Sequence, residues 1–197
     1  MRILVIGATG TIGKAVVDAL APRHGVIAAS RHKAHEHVDI ADPSSLRELF
    51  KRVGRVDAII SAAGNAAWKP LAELNDQDFA FSLSNKLMGQ VNVARYGIEF
   101  VNDGGSITLT SGVLATQPTP GSSAVSLVNS GLEGFARAAS LDAPRDIRIN
   151  VVSPPWVSET LTAMGRDPKD GLSAANVARA YVESVEGTLR GQVLSPR

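Results

Sequence analysis

Three glycines with a fixed spacing near the start of the chain could hold a phosphate-bearing ligand. The stretch GATGTIG places Gly7, Gly10 and Gly13 directly after the apolar run ILVI and before a segment with helical periodicity. Glycine allows a tight turn and lets backbone N–H groups approach a pyrophosphate, and the positive end of the following helix adds to the attraction. The motif predicts a dinucleotide site, with a purely structural turn as the alternative. The expected contacts are Gly7, Thr9, Gly10, Thr11, Ile12 and Gly13.

The residues that end the second apolar run indicate which dinucleotide binds. A site for NAD(H) usually carries an acid here, which binds the ribose 2′-hydroxyl. This chain has Ser30 and Arg31 instead. A carboxylate would repel a 2′-phosphate, whereas a guanidinium binds it through paired hydrogen bonds. We therefore predict NADP(H) as the cofactor, with a solvated basic loop as the alternative. His32, His35 and His37 lack helical spacing and a set of carboxylates, so no metal site is predicted.

Short apolar runs alternate along the chain with longer segments of helical periodicity. The runs lie at 3–6, 25–30, 57–64, 105–112, 147–157 and 191–195. Strands that alternate with helices predict βαβ units and a parallel sheet covered on both faces. The loops that leave the carboxyl ends of such strands are where a ligand site is expected.

Composition and length narrow the class of protein. The 197 residues fit one domain, and a net charge of +1 gives no support to nucleic acid or an anionic membrane as the main partner. The chain has no cysteine, which removes disulfides and thiolate catalysis. The run ILVI is too short for a signal-peptide core, and no apolar run approaches the roughly 20 residues that span a bilayer. We expect a soluble, cytoplasmic protein that acts on a small molecule.

Several motifs in order along the chain resemble those of the short-chain dehydrogenase/reductase family. VDIAD and SAAG resemble the segments on the adenosine side of its cofactor, and INVVSPPWVSETL resembles the loop that contacts the nicotinamide carboxamide. The resemblance implies an α/β fold of one Rossmann domain over residues 1–197, with a doubly wound parallel sheet of about seven strands and helices on both faces. It also implies cofactor contacts from Asp39, Ile40, Ala62, Ala63, Gly64, Pro154, Val157 and Thr160.

The positions of the family's catalytic residues are altered in this chain. GSITLTSG resembles the strand that carries the catalytic serine, which falls on Ser111. The family's Tyr-x-x-x-Lys motif, aligned through the EGF stretch 133–135, falls on Val125 and Asn129. The asparagine of the central helix, three residues before a glycine, falls on Lys86; a shift of one residue would place it on Asn85 but lose the glycine spacing. In this interpretation the lysine and asparagine have exchanged helices and the tyrosine is missing; the alternative is that Lys86 is a surface residue.

The resemblance implies an NADPH-dependent oxidoreductase that reduces a carbonyl or enone. Three catalytic residues are predicted. Ser111 polarises the carbonyl, Asn129 binds the nicotinamide ribose, and Lys86, or a water bound to it, delivers the proton. Losing a general acid costs about 10²- to 10⁴-fold in rate, which binding and orientation can still offset. The alternative is a catalytically weak or inactive protein that binds NADP(H) as a sensor.

Two further expectations concern the substrate lid and the assembly. Only about a dozen residues separate Thr160 from the last predicted helix at Ser173, which predicts a short lid near 158–172. The family usually has a longer lid, so the site should be open, suited to a bulky substrate, or covered by a partner subunit. By the same resemblance, helices at 76–100 and 122–140 are expected to form a homodimer or homotetramer.

Overall fold

Seven parallel strands form one sheet, and helices cover both of its faces. The computed structural model describes all 197 residues. The strands are β1 (Arg2–Ile6), β2 (Gly25–Ser30), β3 (Glu36–His37), β4 (Val56–Ser61), β5 (Val101–Thr110), β6 (Arg148–Val152) and β7 (Val193–Leu194). The helices are α1 (Thr11–Leu20), α2 (Pro43–Val53), α3 (Asp76–Ser82), α4 (Gly89–Gly97), α5 (Ser123–Asp142), α6 (Ser158–Ala163) and α7 (Ala174–Glu186). A π-helical turn, Leu83–Met88, joins α3 to α4.

The order of the strands creates a crevice for a ligand. Across the sheet the order is β3-β2-β1-β4-β5-β6-β7, so the chain runs outward from β1 in one direction and from β4 in the other. At such a switch point the loops that follow the two neighbouring strands leave on opposite faces and open a crevice at the carboxyl edge. The predicted doubly wound sheet of seven strands is confirmed.

Burial alternates along the strands and divides the core into two layers. In β1, Leu4 and Ile6 face the layer under α2, α4 and α5, whereas Ile3 and Val5 face the layer under α1 and α7. All four side chains are almost fully buried. A strand buried on both faces is typical of a parallel sheet covered by helices, and it explains why the run ILVI shows no polar alternation.

Local signals in the sequence start the helices that flank the site. The α2 helix has Pro43 in its first turn, and the Asp42 carboxylate accepts the backbone N–H of Ser44 at 2.8 Å. The α3 helix begins at a capping box, in which Asn75 and Asp78 each accept a backbone N–H of the other. Such caps satisfy donors that the first helical turn leaves unpaired.

The central helix differs from the single segment expected over 76–100. It consists of α3, the π-helical turn and α4, and ends with a short 3-10 turn, Ile98–Phe100. A π-helical turn adds a residue to the helical repeat, and such turns are frequent at functional sites. One added residue barely changes the periodicity of apolar residues in the sequence. The sequence therefore predicts a helix here but not the π-helical turn within it. The two-residue strand β3 lies in a polar stretch and also has no apolar signal.

Candidate functional site

The glycine turn after β1 has the geometry that a phosphate-binding loop needs. Gly7 has a φ of +86°, and a Cβ atom added to it would lie 2.5 Å from the carbonyl oxygen of Ala62. A Cβ added to Gly13 would collide with the Gly7 backbone. The α1 helix begins after Gly10 without any side-chain cap, so its first N–H groups are not satisfied by a side chain. These donors and the helix dipole make an anion site.

A crevice of about 280 Å³ lies above this turn at the switch point of the sheet. The ends of β1, β2 and β4 all border it. Its lining includes ten of the predicted cofactor residues, namely Gly7, Thr9, Gly10, Ser30, Arg31, Asp39, Ile40, Ala62, Ala63 and Gly64. Thr11, Ile12 and Gly13 lie in the first turn of α1 and do not line it.

Two asparagines that the sequence did not assign also line the crevice. Asn85 lies in the π-helical turn, and its Oδ1 accepts the backbone N–H of Asn65 at 2.7 Å. This contact ties the loop after β4 to the central helix. One feature of the sequence pointed to Asn85: it stands next to Lys86, the position on which the family's asparagine falls.

The residue that follows β2 is a cation, and no acid stands next to it in the sequence. Arg31 is largely exposed, and its Nε lies 3.3 Å from a carboxylate oxygen of Asp39. The buried Ser30 hydroxyl accepts the backbone N–H of Lys33 at 3.1 Å. Arg31 and Asp39 therefore face each other across the part of the crevice where the sequence predicted the adenosine side of a cofactor.

A second cavity, of about 170 Å³, holds the other half of the predicted site. Its lining residues include the predicted Lys86, Ser111, Asn129, Pro154, Val157 and Thr160, together with Val125, Gly112 and Trp156. Lining residues of the two cavities are in contact where the loop after β4 passes the π-helical turn. Gly64 has a φ of +121°, and a Cβ on it would lie 3.0 Å from the Cα of Lys86. Glycine is therefore needed for this close approach.

Lys86 is half-buried, and its side chain lines the second cavity. Its Nζ lies 3.4 Å from the backbone carbonyl oxygen of Ser111. Burial lowers the pKa of this ammonium to about 8, because the charged form loses hydration. Lys86 is thus a half-buried lining residue of the cavity.

Asn129 offers an unused acceptor in the same cavity. Its Nδ2 donates to the carbonyl oxygen of Gly112 at 3.3 Å, and its Oδ1 is buried without a hydrogen-bond partner. A buried, unsatisfied polar atom costs free energy unless a ligand or water pairs with it. The amide is thus available to accept a hydroxyl from a molecule bound there.

The Ser111 hydroxyl points to a carboxylate that sequence reasoning missed. Its Oγ donates to Oε1 of the buried Glu133 at 2.9 Å. Glu133 lies in α5, and its other oxygen is 3.5 Å from the guanidinium of Arg137. Before Ser111 can donate to a carbonyl in the cavity, its hydroxyl has to rotate away from Glu133. Nothing in the spacing of Glu133 along the sequence indicates this contact.

No tyrosine reaches the cavity. Val125 lines it at the position where the family's tyrosine aligns. Tyr181 is fully buried under the sheet, where its hydroxyl lies 2.7 Å from Thr110 Oγ1 and burial raises the pKa of the phenol. Tyr96 is on α4 under the guanidinium of Arg47, which lies 4.3 Å from its ring centre. A phenol proton donor would have to come from outside this chain.

Trp156, which lines the second cavity, is contacted by a second tryptophan and an arginine. The rings of Trp68 and Trp156 have centres 5.7 Å apart, and the guanidinium of Arg166 lies 5.0 Å from the centre of the Trp156 ring. Arg166 belongs to the segment 158–172 that was predicted as a lid. That segment contains α6 and returns to the body of the protein at Leu172, which pairs with Val157. The aromatic pair was not predictable because its members are distant in the sequence.

Two other structural features are absent from the chain. No three His, Asp or Glu side chains converge in a way that could hold a metal ion. None of the helices combines the length and the apolar character needed to cross a bilayer.

Known proteins with similar sequences include reductases. A family model described as enoyl-(acyl carrier protein) reductase matches residues 7–188. Hydroxynaphthalene reductase arp2 of Aspergillus fumigatus is 29% identical over 119 residues, which are 60% of this chain and 44% of that protein. The 3-oxoacyl-[acyl-carrier-protein] reductase of Bos taurus is 28% identical over 195 residues, covering 88% of this chain and 81% of the relative.

Solved structures repeat the whole architecture. The protein lin1944 of Listeria innocua is 39% identical, with a TM-score of 0.95, and the match covers 99% of this chain and 98% of the other. A small-chain dehydrogenase solved in complex with NADPH is 24% identical, with a TM-score of 0.87 and coverage of 99% and 95%. At that identity the second comparison shows a shared fold.

Proposed function

Because the chain belongs to the short-chain dehydrogenase/reductase family, we propose that it is an NADPH-dependent oxidoreductase acting on a carbonyl group or an activated double bond. The observation that carries this proposal is the contact between residues that line the two cavities. Gly64 of the glycine-lined crevice lies against Lys86 of the cavity that contains a cation and an unused amide oxygen. A ligand that extends past Gly64 would reach from the phosphate site to the groups that could do chemistry.

The residues of the crevice fit a dinucleotide. At Gly7 and Gly13 a Cβ atom would collide with backbone atoms, so the tight turn before α1 requires glycine at both positions. The start of α1 supplies uncapped N–H donors for the pyrophosphate. Arg31 at the end of β2 favours a 2′-phosphate. Asn129 would hold the nicotinamide ribose through its Oδ1, and Pro154, Val157 and Thr160 would border the nicotinamide. When bound, the cofactor supplies the hydride.

The chain's own residues would supply position, charge and a proton. In the protonated state Lys86 holds a proton on Nζ within the cavity, and its positive charge stabilises the oxygen that gains electrons when a carbonyl carbon accepts hydride. Transfer of the Nζ proton to that oxygen completes an alcohol, and the neutral amine recovers a proton from water. A pKa of about 8 lets Lys86 be mostly protonated at neutral pH and still be a better acid than an ordinary lysine. Ser111 contributes to this step once its hydroxyl turns from Glu133 to the substrate.

A panel assay tests the reaction. Loss of NADPH absorbance is followed with aldehydes, ketones, quinones and enones, for the wild type and for Lys86→Met and Ser111→Ala. We expect Lys86→Met to lower kcat about 10²- to 10⁴-fold with little change in the affinity for NADPH, measured by calorimetry. Ser111→Ala should lower kcat as well. Unchanged kcat in both variants would remove this mechanism.

The choice of cofactor is tested at Arg31. Replacing it by Glu puts a carboxylate where the 2′-phosphate is expected, so binding of NADPH should weaken at least tenfold while binding of NADH changes little. Arg55→Glu is the control, since Arg55 is exposed just before β4, at the opposite edge of the sheet, and its side chain is in no ion pair. Equal loss for both cofactors would indicate that Arg31 acts on the fold and not on the phosphate.

A second candidate function is an NADP(H)-dependent sensor with no turnover. The observations that favour it are Val125 at the position of the family's tyrosine and the engagement of the Ser111 hydroxyl by Glu133. Tight NADPH binding with no turnover on any compound of the panel would support the sensor and overturn the reductase.

A further inference from the structure

The second cavity contains a positive charge but no acid. None of its twelve lining residues is Asp or Glu, and Lys86 is its only ionisable member. The polar contact of the Lys86 Nζ is a backbone carbonyl oxygen at 3.4 Å. No ion pair in the protein includes Lys86.

Lys86 is half-buried, and a cation partly withdrawn from water normally has a counter-ion. Charged side chains are rarely buried unless they are paired, because the lost hydration is not otherwise replaced. The nearest acid in the contact network is Glu133, and it already accepts the Ser111 hydroxyl and lies beside Arg137. The protein thus places an ammonium in a cavity without supplying the negative charge that would offset it.

A second cation without an ion pair lies next to the cavity. Arg166 is exposed, and its guanidinium lies over Trp156, which lines the cavity. Asp167, the next residue, accepts the backbone N–H of Lys169, and neither Asp167 nor Asp170 forms an ion pair with Arg166. Lys86 in the cavity and Arg166 beside it are therefore both without an ion-pair partner.

We propose that the substrate is an anionic carbonyl compound, an oxo acid whose carboxylate provides the missing counter-charge for Lys86. This inference rests on the proposed reductase function and names its substrate class. The carboxylate and the neighbouring carbonyl oxygen of an oxo acid lie close enough to share one ammonium, so Lys86 can bind the anion and face the reacting oxygen together. Arg166 draws the anion toward the cavity, and Trp156 packs against the apolar part of the molecule.

A binding experiment tests the charge without turnover. Benzoylformate and its methyl ester have the same carbonyl and phenyl ring but differ in the negative charge. Each is titrated by calorimetry into enzyme saturated with NADP⁺, a mixture that cannot react because both partners are oxidised. We expect the acid to bind at least tenfold more tightly than the ester. Equal affinities, or no binding of either compound, would overturn the inference.

Variants identify the source of the preference. Lys86→Met should reduce the acid-to-ester ratio to about one, whereas Lys86→Arg, which keeps the charge, should retain a preference. Arg166→Gln should narrow the ratio, and Lys51→Met on the distant outer face of α2 should leave it unchanged. If Lys86→Met kept the full preference for the acid over the ester, the preference would come from another group and the proposal would be refuted. Failure of NADP⁺ itself to bind would instead count against the proposed reductase function, so the two failures can be told apart.

Discussion

At the scale of single residues, the central feature is a lysine and an asparagine from different helical segments at one cavity. Lys86 comes from the turn before α4 and Asn129 from α5, and both line the second cavity. One ammonium and one amide thus lie in the cavity, and no tyrosine lines it. In the proposed mechanism, proton transfer to substrate depends on the titration of Lys86 itself.

The pH dependence of reduction should follow Lys86. Its pKa is lowered to about 8 by burial, and the protonated form is the one that donates. We expect kcat/KM to be flat near neutral pH and to fall about tenfold per pH unit above about pH 8. Lys86→Arg should remove this limb, since a guanidinium stays charged to about pH 12. A wild-type profile that is flat to pH 10 would contradict the role of Lys86.

The same burial predicts an unusual effect on stability. The pKa of Lys86 is about 8 in the folded state, whereas an exposed lysine has a pKa of 10.5. Between these values the unfolded chain binds more protons, so stability rises with pH; below pH 8 the folded state carries the full cost of the buried charge. Lys86→Met should therefore raise Tm at pH 7, by about 2–4 °C for each kcal/mol of cost removed.

Calorimetric melting at two pH values checks this prediction. The gap in Tm between Lys86→Met and the wild type should narrow from pH 7 to about pH 10.5, as the wild-type lysine loses its proton. Lys51→Met removes an exposed lysine and should change Tm little at either pH. A Lys86→Met protein that melts below the wild type at pH 7 would show that Lys86 is stabilised by contacts and not merely buried.

At the scale of elements, substitutions of two helical glycines distinguish an effect on ligand binding from an effect of helix propensity on stability. A Cβ on Gly13 in α1 would collide with the Gly7 backbone, whereas nothing lies within 4 Å of a Cβ on Gly134 in α5. Gly13→Ala should lower the free energy of unfolding and abolish binding of NADPH, because the turn and the helix start must move apart. Gly134→Ala should raise the free energy of unfolding by about 1 kcal/mol, the propensity gain.

Chemical denaturation and NADPH titration of the two variants give the comparison. Both changes are the same in chemistry and both lie in helices, so only their surroundings differ. Retention of normal NADPH affinity in Gly13→Ala would contradict the assignment of the glycine turn as the phosphate site.

The elements were predictable where the signal was local. The run GVIAAS and the segment 43–53 coincide with β2 and α2, because apolar runs and caps act within a few residues. The π-helical turn carries no such signal, yet it places Asn85 at the crevice and Lys86 at the cavity. Contacts such as Ser111 with Glu133 join residues that only the tertiary structure brings together, so their chemistry could not be predicted from spacing.

At the scale of the whole molecule, apolar side chains remain exposed on one group of helices. Phe81 in α3, Met88 in the π-helical turn and Leu127 in α5 are 46%, 39% and 48% exposed. These three elements pack beside one another. They fall within the segments 76–100 and 122–140, for which the family resemblance implied a homodimer or homotetramer.

We expect this apolar surface to join copies of the chain. Light scattering after size exclusion should give a mass of two or four chains for the wild type, and Leu127→Lys should lower it by placing a charge in the contact. Leu141→Lys is the matched control, since Leu141 lies at the far end of the same helix and is 83% exposed. A wild-type mass of one chain at micromolar concentration would refute the expectation.

The pairing of Trp68 with Trp156 has an optical consequence. These are the only two tryptophans in the chain; Trp156 lines the second cavity and Trp68 packs against it. Essentially all the indole fluorescence of the protein therefore originates at one place. Emission spectra and their quenching can report on ligand binding in the second cavity in the native sequence, without an attached dye.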